Sequence, residues 1–251
     1  MRRLGLTALL LPLLAGSARA SGLYEATVIV TGMDARSRPA GLGTALAQAV
    51  AKVSGNPALL DDPHVAALAP LAPSLVESMA YLDRMSDLPH RDEQGTRDRP
   101  YDLQVRFDPA MLDSLLAGLG EIPWRVRPAL AVAIRIEPRD GPALLLHADT
   151  DPDERHRAAL LAAADQAGLQ VVLPLEAPLL DVTGAVPLLR QPDLVLRGSL
   201  SWQEGTGWAA QFTLPWHGRQ HAWGVDGVGF DAAYREAMRG AARVLSGHDR
   251  E

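Results

Sequence analysis

The sequence predicts an α+β protein of two small mixed units, and three observations carry that expectation. Segments with a two-residue apolar period are interleaved with segments of helical period along the whole chain. Gly- and Pro-rich punctuation at Asp140-Gly141-Pro142 divides residues 21–139 from residues 140–251. The second part ends in three strand-like runs with glycine turns, followed by one amphipathic helix. They read as an antiparallel meander covered by a C-terminal helix.

Residues 1–20 read as an address rather than a fold. Arg2 and Arg3 form a positive start, Leu4 to Leu14 an apolar run broken by Pro12, and Ala18-Arg19-Ala20 a small-x-small site. This is the three-part secretory pattern, with cleavage expected between Ala20 and Ser21. The apolar run is about half the roughly 20 residues of a spanning helix, and Pro12 interrupts it. The arginine pair lacks the surroundings of a twin-arginine signal. With no cysteine after the run, no lipid anchor is expected.

Leu23 to Val30 alternates as a strand, with Tyr24, Ala26, Val28 and Val30 on one face. From Ala40 the period changes, and Leu42, Ala45, Leu46, Ala49, Val50 and Val53 mark one helical face closed by Gly55 and Pro57. Asp62-Pro63 caps a short helix to Leu68. Val76 to Met85 suits either a helix or a strand paired with Tyr101 to Phe107. Ser86 to Pro100 between them is charged and reads as a solvated, mobile loop. Asp108-Pro109 opens a helix carrying Met111, Leu112, Leu115, Leu116 and Leu119, and Pro128 to Glu137 is a buried strand.

In the second part, Ala143 to His147 reads as a short strand. Asp151-Pro152-Asp153-Glu154 is a capping box whose helix runs to Gly168. Leu169 to Leu173 is again a strand. The meander comprises Asp193 to Trp202, Gly207 to Trp216 and Gln220 to Val225. Phe230, Tyr234, Ala237, Met238, Ala241, Val244 and Leu245 then recur at helical spacing.

Composition narrows the function classes. The chain has 251 residues, 47% hydrophobic content and a net charge of −6, which loss of the leader's three arginines moves to −9. An acidic chain without a basic block argues against nucleic acid and anionic membrane surfaces as partners. No later run is long enough to span a bilayer. Zero cysteines remove disulfides, thiolate nucleophiles and zinc–thiolate sites together. Lys52 is the sole lysine beside 23 arginines, which removes lysine chemistry from every other position.

The candidate clusters are sparse. Asp149, Asp151 and Asp153 alternate like calcium ligands, but the EF-hand positions for glycine and the twelfth glutamate hold Glu154 and Leu160. His217 and His221 flank a turn and lack a third metal ligand. Gly41 and Gly43 lack the third glycine of a dinucleotide fingerprint. There is no GxSxG elbow. The most reasonable dispersed hydrolase set is His147, Asp149 and His156. No metal or cofactor is expected. Trp202, Trp208, Trp216 and Trp223 lie in the meander and are expected mainly to pack under the last helix. Because Trp202, Trp208 and Trp216 do not share one alternation phase, an exposed aromatic interaction surface is the alternative.

These segments also carry a resemblance. Leu23-Tyr24-Glu25, Ala45-Leu46-x-x-Ala49 through Val53-Ser54-Gly55-Asn56-Pro57, Phe107-Asp108-Pro109 and Ile122-Pro123-Trp124 with Arg127-Pro128 belong to it. So do Gly168-Leu169 leading to Leu173-Pro174-Leu175, and Leu194-Val195-Leu196-x-Gly198 before Gly207-Trp208. Together they resemble an uncharacterised exported proteobacterial family, domain of unknown function number two thousand and sixty-six. Glu176 to Pro192 looks shorter than that family's pattern. The resemblance implies export and brings no catalytic residues. The resulting expectation is a periplasmic, non-catalytic envelope accessory protein that binds another envelope protein through a sheet face or edge. A periplasmic hydrolase is the alternative, and a small-ligand site between the units a third possibility.

Overall fold

Two separate sheets organise the chain. A computed structural model describes residues 21–87, 99–148, 154–174 and 194–249. Most of the charged loop from Ser86, the acidic triplet from Asp149, the capping box at Asp151, the leader and the stretch from Glu176 to Pro192 lie outside the described residues.

The first sheet is antiparallel, in the order β1 (Glu25–Thr31), β3 (Pro100–Phe107), β2 (Val76–Asp83). Strict alternation in β1 puts Ala26, Val28 and Val30 inside and leaves Thr27, Ile29 and Thr31 outside. The ambiguous segment from Val76 is a strand, with Tyr81 opposite Leu103. Local periodicity could not choose between the two readings, and pairing with β3 does.

One helix covers the inner face. α1 (Arg38–Ser54) starts with Pro39 in its first turn and ends at Gly55, whose φ of +75° is a left-handed cap. Its stripe Leu42, Ala45, Leu46, Ala49, Val50 and Val53 is buried against β1 and β3. Each large side chain there contributes about 1.5–3 kcal/mol. Gly41 lets the helix sit close, since a Cβ there would lie 2.6 Å from Val30. The short helices α2 (Pro63–Ala67) and α3 (Ala72–Leu75) follow, then α4 (Pro109–Gly118). The Asp62 and Asp108 carboxylates cap α2 and α4.

The second sheet has six strands. The path is β5 (Leu144–Leu145), β4 (Ala129–Glu137), β7 (Val195–Gln203), β8 (Gly207–Trp216) and β9 (Arg219–Val228), with β6 (Gln170–Val172) also on β4. β4 pairs in parallel with β6 and β7, and Leu130 to Ile134 are buried without alternation, as a central parallel strand requires. β7, β8 and β9 form the expected antiparallel meander. α5 (Glu154–Ala167) and α6 (Phe230–Ser246) pack on each other over this sheet's core. Among the described residues, no helix is long and apolar enough to cross a membrane.

The crossing between sheets therefore falls at residues 119–128, ahead of β4, rather than near Asp140 as the punctuation suggested. β4 carries no local mark of its sheet. Its membership rests on pairing with β7, some sixty residues further on.

Candidate functional site

Three helices end at the boundary between the two sheets. α1, α5 and α6 are each followed by a glycine with positive φ: Gly55 at +75°, Gly168 at +67° and Gly247 at +84°. A helix C-terminus leaves carbonyls without intrahelical partners and carries partial negative charge. The boundary thus concentrates acceptors, and side-chain donors meet them.

Arg127 is the main donor. Its Nε gives a hydrogen bond to the Trp124 carbonyl at 2.8 Å. Its Nη1 donates to Ala167 and Gly168 at the end of α5, at 2.9 and 3.2 Å. Its Nη2 donates to the Lys52 and Val53 carbonyls at the end of α1. The guanidinium also lies 4.2 Å over the Trp124 ring. Burial pushes its pKa down to about 10, and it stays charged at neutral pH. One side chain ties two helices from different units to the strand lead-in.

Lys52 stands beside it, only 5% exposed. Its Nζ donates to the Glu25 carbonyl at 3.3 Å and lies 3.6 Å from the Asp165 carboxylate. Burial lowers its pKa below the ordinary lysine value, against the opposing pull of Asp165 and Glu25.

On the other side of Gly55, the end of α6 is held by a polar chain. The Ser246 hydroxyl lies 2.9 Å from the Gly55 carbonyl and 2.7 Å from His248 Nδ1. His248 Nε2 lies 3.0 Å from Glu121 Oε2, and Glu121 Oε1 accepts from Asn56 at 2.7 Å. This Ser–His–Glu order resembles a catalytic triad in connectivity.

Its surroundings oppose that chemistry. The nearby backbone N–H groups are spent in caps: Gly55 donates to the Ala51 carbonyl, Gly247 to Val244 and His248 to Arg243. The Asn56 N–H donates to the Ser54 hydroxyl. None of these four is left to receive an oxyanion. Two helix C-termini here present negative charge, where an oxyanion site needs positive. The arrangement acts as a clasp joining the units.

Beside Lys52 and Arg127 opens a cleft of about 620 Å³. Leu23 and Tyr24 form one wall, Leu161, Ala164 and Asp165 of α5 another, and Leu169 to Val171 the floor along β6. Arg125 stands at the rim and pairs with Asp113, whose Oδ1 accepts from the Tyr24 hydroxyl at 2.9 Å.

The residues singled out by sequence lie elsewhere. Trp202 faces Trp208 across β7 and β8, and Trp223 faces Phe212. Trp208 and Trp216 share the same side of β8, and all four tryptophans pack against the second sheet's core. Alternation compares residues within one strand, whereas register decides which face residues of neighbouring strands share. Trp208 is buried and the other three are half-buried. His156 sits among Trp208, Phe230 and Tyr234, with Nδ1 3.0 Å from the Tyr234 hydroxyl. His147 is buried after β5, and Asp149 lies outside the described residues. His217 occupies the β8–β9 turn with φ +49°, while His221 pairs with Asp249. Ser21 opens the described chain, and Ala20 precedes it.

Sequence reasoning gave no role to Arg127, Glu121, Ser246 or His248. The available signal was the set of glycines ending three helices, each of which needs donors for its last carbonyls.

Residues 17–125 match the model of a family described as Domain of unknown function (DUF8605). This corrects the resemblance drawn from the sequence motifs, which named a different uncharacterised family. Those motifs are caps, turns and strand ends, features that unrelated α+β chains share. No curated protein and no solved structure matches the chain.

Proposed function

We propose that the protein is exported to the periplasm and acts as a non-catalytic binding module of the cell envelope, taking its ligand in the cleft between the two units. The observation that carries this reading is the cleft itself. Its volume lies within the roughly 300–1,000 Å³ of ligand sites, and its walls mix apolar side chains with a few polar ones. The leader-like residues 1–20 support export.

The hydrolase alternative has one favourable observation, the Ser246–His248–Glu121 order. Against it stand the spent backbone donors and the Ser246 hydroxyl lying against the Gly55 carbonyl. Two measurements test the proposal. N-terminal sequencing of protein from the periplasmic fraction is expected to begin at Ser21. A fluorophosphonate probe is expected to leave Ser246 unlabelled; stoichiometric labelling of Ser246 would replace the binding reading with the hydrolase.

A further inference from the structure

The cleft's lining has a charge and polarity that narrow its ligand. Among the described residues that line it, the charged ones are Lys52, Arg125 and Arg127 against Asp165. Counting Asp113 behind Arg125, and Glu25 together with the Arg106 it pairs with, one positive charge still remains, in a chain whose net charge is −6. Basic groups gathered in a recess of an acidic protein focus a field that favours anions.

The donors are not equally available. Arg127 spends its guanidinium on backbone carbonyls. Lys52 has three N–H groups and two protein partners. The Arg125 side chain is 64% exposed and, with five N–H donors, keeps some beyond Asp113 and the Tyr24 hydroxyl. An anionic head therefore meets Lys52 and Arg125. The rest of the wall carries the aliphatic side chains Leu23, Leu161, Leu169 and Val171, together with Tyr24 and Gln170. Leu161 is 46% exposed, whereas its neighbour Leu160 on the same helix is fully buried.

We propose that the cleft binds a single-chain amphiphile, with a carboxylate at Lys52 and Arg125 and an aliphatic chain along Leu161, Leu169 and Val171. This rests on the binding reading above and names its ligand class. Association is non-covalent. The carboxylate supplies the charge that the recess lacks, and the chain covers leucine surface that water now touches.

Calorimetric titration of the full mature chain with monomeric dodecanoate tests it. The expected result is one site per chain, with affinity at least tenfold weaker for the neutral dodecanol. Arg125→Glu and Leu161→Asp should each weaken dodecanoate binding at least tenfold. Both positions are solvent-exposed, so the variants are expected to fold, which circular dichroism checks. Equal affinity for dodecanol, or binding unchanged in both variants, overturns the proposal. Absence of dodecanoate binding also overturns it. If those same variants nevertheless lose a ligand retained by wild type from periplasmic extract, the binding reading survives and only the ligand class falls.

Discussion

Arg127 replaces several capping side chains at once. Its planar fork reaches carbonyls on two helices and its own lead-in, a geometry that an ammonium cannot reproduce. Arg127→Ala should cost about 3 kcal/mol or more, since each buried carbonyl left unpaired costs about 1–3 kcal/mol. Arg127→Lys should recover little of it, as urea denaturation will report. Asp249 offers a separate pH test. Burial alone would raise its carboxyl pKa, but hydrogen bonds from His221 and Arg243 outweigh that and hold it below the usual range. A depressed carboxyl stabilises the fold above its unfolded value of about 3.9, and that contribution is lost as pH falls through the lower folded value. Asp249→Asn should therefore flatten the loss of thermal stability below about pH 4.

Among the elements, α6 shows why a helix can need glycine inside its buried face. A Cβ at Gly240 would lie 2.1 Å from the Trp223 ring, whose Nε1 donates to the Glu236 carbonyl at 3.1 Å. Gly240→Ala gains about 1 kcal/mol of helix propensity but overpacks the contact by about 1–3 kcal/mol. Net destabilisation is expected, and the double variant with Trp223→Leu should show favourable coupling in a mutant cycle. α1 and α4 were legible in advance because their apolar stripes, prolines and caps all agree. β2 was not. Val76 to Met85 carries both periods, and its exposed edge position gives burial little influence over its pattern.

In the molecule as a whole, the ends of α1, α5 and α6 converge where the two units meet, and Ala51 of α1 shares a recess there with Ala163 and Ala167 of α5 and Ala242 of α6. Arg127 and the Ser246–His248–Glu121–Asn56 chain cross between them. Unfolding should consequently be a single calorimetric transition. Arg127→Ala combined with His248→Leu should separate it into two, because each sheet retains its own core.

Periodicity, prolines and cap residues were enough for an α+β chain with a terminal meander and helix, because those signals act over a few neighbouring residues. Strand partnership, the crossing before β4, the buried side of the tryptophans and the gathering of three helix ends around Arg127 depend on contacts between distant segments. No local pattern encodes such contacts, so they emerged only once the chain was folded.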